Sequence, residues 1–208
     1  MSADLVIAVD GPAASGKGTV AARLGQAYGL PVLDTGLLYR AVGVAASRSG
    51  VDPDDPDAAA AVAAGLDLMA LDDPAFRTRG AGELASRVAV HPAVRAALNA
   101  AQVGFARQPG GAVLDGRDIG TVIAPWAPAK LFVTARPEVR AERRWRQLAA
   151  QGETVSLDEV LADIRRRDAR DGGRADAPMA RAPDAVLLDT SEMTIDLAAD
   201  AARRIVEA

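Results

Sequence analysis

The chain has 208 residues, half of them hydrophobic, and a formal net charge of −4. This length supports one sizeable core, so we expect a single domain spanning residues 1–208. The absence of cysteine excludes disulfides and thiolate metal sites, and no stretch approaches the roughly 20 apolar residues of a membrane span. The acidic balance gives no overall attraction to nucleic acid. We therefore expect a cytoplasmic protein with neither a membrane nor a nucleic-acid partner.

Five short apolar runs, separated by longer helical patterns, are typical of buried strands. Both faces of these runs are apolar, which favours a parallel sheet covered by helices on both faces. The predicted strands occupy residues 5–9, 31–34, 112–115, 129–135 and 185–189. The predicted fold class is therefore α/β, a doubly wound sandwich with a five-stranded parallel sheet, whose ligands bind at the carboxyl ends of the strands.

The helical patterns alternate with these strands except in one segment. Helices are predicted at residues 17–28, 35–49, 92–107, 137–150, 157–171 and 195–207. Pro92 and Pro137 stand where the first helical turn tolerates proline, and Gly152 and Gly172 stand where helices commonly end. From residue 51 to about residue 90 the alternation is broken, and we interpret this segment as an insert before the third strand.

A glycine-rich segment, GPAASGKGT, lies between the first predicted strand and the first predicted helix. Its spacing matches a phosphate-binding loop, in which backbone N–H groups and a helix N-terminus face phosphate oxygens. Lys17 and Lys130 are the only lysines among 24 basic residues. A lysine at position 17 therefore departs from the Arg-rich composition, which favours a functional role. A turn that binds nothing is the alternative. The predicted nucleotide-binding residues are Gly11, Pro12, Ala13, Ala14, Ser15, Gly16, Lys17, Gly18 and Thr19.

Thr19 and Asp115 are the candidate residues for binding Mg²⁺. Gly18 occupies the position where the general pattern has a magnesium-binding Ser or Thr, and Thr19 offers a hydroxyl group one residue later. Asp115 ends an apolar strand, where its carboxylate could hold a water molecule bound to Mg²⁺. The alternative for Asp115 is an ordinary turn residue.

Two motifs place further polar groups at the predicted ligand edge of the sheet. LDTGLLYR, at 33–40, puts Thr35 at a helix start as a candidate N-cap and Arg40 more than one turn later. Arg40 is suited to clamp a phosphate, although a solvated helix face is the alternative. DGRDIGT, at 115–121, puts Arg117 and Asp118 directly beyond a strand end.

The densest cationic stretch is RRRDARDGGR, at 165–174. Its functional candidates would share one face of a helix, but the two glycines favour a mobile end before the last of them. After a phosphate loop, such a cluster indicates phosphoryl transfer, which needs Mg²⁺, Lys and Arg around a polyanion and a lid that excludes water. A solvated charged helix is the alternative. These candidates are Arg167, Arg170, Asp171 and Arg174.

Four of these segments follow one another along the chain: DGPAASGKGT, LDTGLLYR, DGRDIGT and RRDARDGGRADAPM. Their order and rough spacing are those found in bacterial cytidylate kinases, and the whole chain resembles that family. The resemblance implies a P-loop nucleoside-monophosphate-kinase fold that transfers the γ-phosphoryl group of ATP to CMP or dCMP with Mg²⁺. It implies a core of residues 1–50, 92–145 and 172–208, a short monophosphate-side insert at about 51–91 and a small lid at about 146–171. Longer members carry a small antiparallel sheet in the insert, whereas residues 66–88 leave room for at most one short hairpin.

The resemblance also implies residue roles at the acceptor site. Ser86, Arg95 and Asp118 would read the cytosine edge, because a carboxylate accepts from the amino group while Arg and Ser donate to the carbonyl and ring nitrogen. From residue type alone, Ser86 and Arg95 would be ordinary helix surface. The acceptor phosphate would be held by Arg40, Arg117 and Arg174, beside Thr35, and the ribose and phosphate region would be approached by Arg167 and Asp171. The charge of the transferred group would be spread by Lys17, Arg117, Arg170 and Arg174.

Other functions remain open from the sequence. A kinase for another small acceptor, such as AMP, UMP or shikimate, would share the phosphate loop. A nucleotide-binding regulator is the alternative from another class, although the chain lacks the N-K-x-D segment of guanine-reading switches. His91, the only histidine, precedes Pro92 at a helix start, which favours a structural role over catalysis. We expect the protein to be a monomer.

Overall fold

The computed structural model describes residues 4–67 and 71–208, in which five parallel strands form one sheet. The strands lie in the order β2-β3-β1-β4-β5, and every neighbouring pair is parallel. This confirms the predicted five-stranded α/β sheet, with β1 in its centre. The strands are β1 (Leu5–Asp10), β2 (Val32–Asp34), β3 (Gly111–Gly116), β4 (Ala129–Thr134) and β5 (Val186–Asp189).

The described residues form eight α-helices. The six predicted ones are confirmed to within one residue at each end, and two more lie in the insert. No helix in the described ranges is both long and apolar enough to cross a membrane. The helices are α1 (Lys17–Tyr28), α2 (Thr35–Arg48), α3 (Pro56–Ala64), α4 (Arg79–Val88), α5 (Pro92–Ala106), α6 (Pro137–Ala150), α7 (Leu157–Gly172) and α8 (Ile195–Val206).

The central strand alternates its side chains between two cores. Ile7 and Val9 pack in a cluster with side chains of α1 and α8. Val6 and Ala8 pack in a second cluster with α5 and with a π-helical turn, Ile119–Ile123. Because successive residues of a strand face opposite sides of the sheet, the uninterrupted apolar run of β1 serves both cores.

The insert is helical in its described residues. It consists of α3, a 3₁₀ turn at Pro74–Arg77 and α4, and it contains no strand within the described parts of 51–91. Residues 68–70, part of the segment with room for a hairpin, lie outside the described residues. Thr78 caps helix α4, because its hydroxyl oxygen accepts a hydrogen bond from the Ala81 N–H at 3.1 Å. The buried side chains of α4 pack against α2. The insert thereby forms one wall of the space above the sheet.

Helices α6 and α7 form an antiparallel pair over the opposite side of that space. Leu148, Val160 and Ile164 are buried between them, and a capping box of Ser156 and Glu159 starts α7. The Nε atom of Arg79 in α4 donates to Asp163 in α7 at 2.7 Å. The pair and the insert therefore touch, and they enclose the carboxyl ends of the strands from two sides.

Candidate active site

A cavity of about 570 Å³ opens at the carboxyl ends of the strands, between the insert and the α6–α7 pair. Parallel α/β sheets bind ligands at this edge. Most of the residues predicted from the sequence line it: Ala14, Gly16, Lys17, Gly18, Thr19, Thr35, Arg40, Ser86, Arg95, Asp115, Arg117, Asp118, Arg167, Asp171 and Arg174. Five predicted residues do not line it: Gly11, Pro12, Ala13, Ser15 and Arg170.

The phosphate loop has backbone conformations that require glycine at both ends. Gly11 has φ +145°, and a Cβ there would lie 2.0 Å from the Val133 carbonyl oxygen. Gly16 has φ +91° and occupies the N-cap position of α1 in the left-handed region. The outer side of the loop is braced by Thr190, whose hydroxyl donates to the Ser15 carbonyl at 2.8 Å. Helix α1 therefore begins with its free N–H groups at the cavity.

Lys17 of this loop forms an ion pair with a buried carboxylate at the end of β3. Its Nζ lies 3.0 Å from Oδ1 of Asp115, and Asp34 pairs with Asp115 in the register of β2 and β3. Burial, followed by the charge of Arg117, lowers the pKa of Lys17. Burial raises the pKa of Asp115, and Lys17 opposes that rise. Two carboxylates and one ammonium group thus meet where the strands end.

The residues beside this ion pair fit a Mg²⁺ ion. Magnesium prefers oxygen ligands and, in phosphoryl-transfer sites, takes one or two from carboxylates and the rest from phosphates and water. Thr19 is exposed and lines the cavity, so its hydroxyl is free to serve. At Gly18 a Cβ would lie 3.0 Å from Oδ2 of Asp115, closer than ordinary contact. The glycine in the variant position therefore leaves room beside the carboxylate.

Arg117 and Asp171 are held together deep in the cavity. The Nε atom of Arg117 donates to Oδ2 of Asp171 at 3.1 Å, and the Ser86 hydroxyl donates to Oδ1 at 3.3 Å. Burial alone would lower the pKa of Arg117, but the carboxylates of Asp171 and Asp115 outweigh it and raise that pKa. Arg117 therefore stays cationic at the point where β3 ends.

Two further arginines that line the cavity hold buried donors that no described protein group satisfies. In the described part of the chain, Nε of Arg167 and both Nε and Nη2 of Arg174 are buried without a hydrogen-bond partner. Burial, followed by the charge of Arg117, lowers the pKa of Arg167 to about 10. Since unsatisfied buried cations are costly, these side chains indicate an anionic ligand. A Cβ at Gly82 would lie 3.1 Å from the Arg167 guanidinium, so the backbone of α4 packs closely against this side chain.

The far end of the cavity contains a buried pair, Arg95 and Asp118. They are 1% and 6% exposed, and Nη2 of Arg95 donates to Oδ2 of Asp118. Asp176 accepts from Nε of Arg95 at 3.2 Å, and the Tyr39 hydroxyl lies within hydrogen-bond distance of Nη1. Arg95, which the sequence alone would place on a helix surface, is therefore buried. Its guanidinium donor lies beside the Asp118 carboxylate, an acceptor.

Two predicted residues make contacts other than those expected. The N-cap interpretation of Thr35 is wrong: Asp34 occupies the N-cap position of α2, and the Thr35 hydroxyl donates to the Asp115 carbonyl at 2.8 Å. Arg170 pairs with Glu83 of α4 at 2.7 Å, while its Nη1 atom is buried without a hydrogen-bond partner among the described residues. Arg174 lies beyond the end of α7 at Gly172, as the two glycines indicated.

Sequence reasoning missed several residues of the cavity wall. Asp34 lines it beside Asp115, and so does Thr190 with its partner Arg143, which donates to the Thr190 carbonyl at 2.6 Å. Arg144 and Gln147 follow on the same side of α6. A strand-terminal aspartate was an available signal for Asp34. The arginines of α6 carried no comparable signal, because a basic helix is usually solvated.

Comparison with known proteins shows the family of the chain. The family model of cytidylate kinase matches residues 7–207. The chain is 72% identical over 202 residues to a cytidylate kinase of Caulobacter vibrioides (strain NA1000 / CB15N), covering 97% of this chain and 95% of that protein. It is 61% identical over 204 residues to a cytidylate kinase of Xanthobacter autotrophicus, covering 98% of each. The crystal structure of an uncharacterised protein from Eubacterium ventriosum shares the fold, with a TM-score of 0.58 at 14% identity, over 98% of this chain and 99% of that one. The chain belongs to the cytidylate kinase family.

Proposed function

We propose that the protein transfers the γ-phosphoryl group of ATP to CMP or dCMP, giving ADP and CDP or dCDP. One observation carries this proposal: the phosphate loop and the buried Arg95–Asp118 pair open onto the same cavity. A donor triphosphate can bind at the first and an acceptor base at the second. Membership of the cytidylate kinase family supports the assignment of that base as cytosine.

At the donor end, we propose that residues 11–19 hold ATP, with Lys17 directed at the β- and γ-phosphates. Thr19 and Asp115 would hold Mg²⁺, directly or through water. When bound, Mg²⁺ neutralises charge on the phosphate oxygens. The α1 N-terminus and the Lys17 ammonium group supply the remaining positive potential.

At the acceptor end, the chemistry of the side chains matches a cytidine monophosphate. The Asp118 carboxylate can accept from the cytosine amino group, while Arg95 and Ser86 can donate to the carbonyl and ring nitrogen. The unsatisfied donors of Arg174 and Arg167 suit the phosphate and ribose oxygens, together with Arg40, Arg117, Asp171 and Thr35. The enclosure of these groups favours one small acceptor over a polymer.

The reaction needs little covalent chemistry from the protein. In-line transfer requires the two substrates to be aligned and the charge of the moving phosphoryl group to be spread. Lys17, Arg117 and Arg174 line the cavity and suit this role. Arg170 was predicted to share it and stays a prediction, because its guanidinium pairs with Glu83 and does not line the cavity.

Direct product analysis tests the proposal. Purified protein is mixed with ATP, Mg²⁺ and CMP, and CDP and ADP are quantified by anion-exchange chromatography. We expect equal amounts of both products, Mg²⁺-dependent turnover and loss of turnover in Lys17→Ala. ADP without CDP would indicate hydrolysis and contradict the proposal. Light scattering of the same sample tests the further proposal of a monomer.

A further inference from the structure

Asp10, the last residue of β1, makes two hydrogen bonds that the proposed reaction does not use. Its carboxylate accepts from the Ile119 N–H at 2.8 Å through Oδ1 and from the Gly120 N–H at 2.7 Å through Oδ2. Asp10 is 5% exposed. Each carboxylate oxygen therefore satisfies one backbone donor inside the core.

These two N–H groups begin the π-helical turn Ile119–Ile123, whose N-cap residue is Asp118. The first N–H groups of a helical turn need an acceptor, and an aspartate at the N-cap position commonly supplies its own carboxylate. Here the Asp118 side chain makes no capping hydrogen bond. The cap comes instead from Asp10, on a neighbouring element.

Because the Asp10 carboxylate caps the turn, the Asp118 carboxylate is not needed for capping and can face the cavity. Its Oδ2 accepts from Arg95, and the residue lines the cavity. Without the Asp10 cap, the Asp118 carboxylate at the N-cap position would be an alternative acceptor for these N–H groups. The cap by Asp10 thus leaves Asp118 available to a ligand.

The position of Asp10 also connects the two ends of the cavity. Asp10 pairs with Gly116 in the register of β1 and β3 and is followed by Gly11, the first residue of the phosphate loop. The residue that leads into the donor loop therefore also holds the segment containing Arg117 and Asp118. A shift of that turn would therefore act on the acceptor site.

We propose that Asp10 is a positioning residue for acceptor recognition, which caps the turn after Asp118 and so leaves the Asp118 carboxylate free to bind the acceptor base. This inference rests on the proposed function, since it takes Asp118 to contact that base. Asp10 itself does not line the cavity. The inference deepens the account of specificity.

Asp10→Asn tests this role, because an amide keeps the shape but turns one acceptor into a donor that faces a backbone N–H. The variant is compared with Lys130→Met. Lys130 supports the same turn without capping it: its side-chain Cδ lies 3.2 Å from where a Gly120 Cβ would be, and its Nζ donates to the Pro125 carbonyl at 2.6 Å. Lys130→Met also breaks the ion pair of Lys130 with Asp184 at 2.5 Å, so it controls for the loss of a buried charge beside the same turn.

The measurements are the KM for CMP, the ratio of kcat/KM for CMP to that for UMP, and the Kd for ATP. UMP lacks the amino group that Asp118 would accept from. We expect Asp10→Asn to raise the KM for CMP about tenfold and to lower the CMP-to-UMP ratio, with the Kd for ATP within about twofold of wild type. Lys130→Met should lower the melting temperature and leave the ratio unchanged.

A merely structural Asp10 would give a different result. The Asp10→Asn variant would then change kcat/KM for CMP and for UMP by the same factor, or would change the melting temperature alone. Either outcome overturns the inference. If that variant folds poorly, Asp10→Ser, which retains one oxygen acceptor in a smaller side chain, is put to the same measurements. The wild-type protein is assayed beside the variants. If it turns over CMP, the proposed function holds, and a negative result for Asp10→Asn then counts against the inference alone.

Discussion

The Lys17 ammonium group lies 3.0 Å from an oxygen of Asp115, and the two residues come from opposite sides of one cavity edge, the start of α1 and the end of β3. In the absence of a triphosphate, the carboxylate keeps the buried lysine compensated. A bound triphosphate would compete for Lys17 and leave Asp115 for a cation. Donor and metal binding should therefore depend on each other.

Gly18→Ala tests the space beside that carboxylate. A Cβ would lie 3.0 Å from Oδ2 of Asp115, so the carboxylate must shift, and we expect the Mg²⁺ concentration for half-maximal activity to rise about tenfold. Mg²⁺ titrations of the initial rate measure this. Gly104→Ala is the matched control: Gly104 is also helical and exposed and has no atom within 4 Å of such a Cβ. An unchanged Mg²⁺ requirement in Gly18→Ala would contradict the assigned site.

Asp118→Ala should separate the two substrates. Because its proposed partner is the acceptor base, we expect the KM for CMP to rise about a hundredfold, while the Kd for ATP changes by less than about threefold. Steady-state kinetics and nucleotide titration give the two values. Asp176→Ala, which removes the more exposed carboxylate from the same Arg95, is the control and should change KM far less. Equal loss of both affinities would refute the role of Asp118.

Arg170 and its partner Glu83 can be distinguished by paired variants. If Arg170 acts on the transferred phosphoryl group, Arg170→Ala should lower kcat by about tenfold or more, whereas Glu83→Ala, which removes the 2.7 Å partner, should leave kcat near wild type. If the contact only holds α4 against α7, the two variants should lose activity equally. Equal losses would remove Arg170 from the catalytic set.

Asp10 should also affect the pH dependence of stability. Burial raises its pKa from 3.8 to about 7, against hydrogen bonds from Gly120 and Ile119. Between these values the folded protein binds a proton that the unfolded chain does not, so this stabilising contribution is fully present below pH 3.8 and is lost as pH rises through about 7.

The free energy of unfolding of wild type minus that of Asp10→Asn should therefore fall by about 3 kcal/mol between about pH 5 and pH 8. Urea denaturation at several pH values measures it. A difference that is constant, or that grows with pH, would contradict the raised pKa. The kinetic comparison of the two proteins belongs at about pH 8, where the carboxylate form prevails.

The sheet and the phosphate loop were predictable because their determinants are local. Strand β1 is apolar on both faces. The backbone conformations of Gly11 and Gly16 favour glycine, so the loop shows glycines at a fixed spacing. The boundaries of α5 and α6 followed from the prolines in their first turns. At the site, Arg117 and Asp118 were identifiable because charged residues directly follow an apolar strand.

Long-range contacts account for what the sequence did not predict. Helix α4 begins at Arg79 without a proline in its first turn, and its helical pattern was not recognised in a segment that left room for at most one short hairpin. The Asp10 cap joins residues 109 and 110 positions apart in the chain, so no spacing rule could reveal it. The partners of Arg95, Asp118 and Asp176, likewise lie 23 and 81 positions away in the chain.

Initial rates over a panel of acceptors test the central claim most directly. CMP, dCMP, UMP, AMP and shikimate are each offered with ATP and Mg²⁺, and ADP formation is followed in a coupled assay. The account predicts the highest kcat/KM for CMP and dCMP, because only cytosine combines an amino donor for Asp118 with carbonyl and ring-nitrogen acceptors for Arg95 and Ser86. A preference for AMP, or the absence of turnover with both cytidine nucleotides, would contradict it.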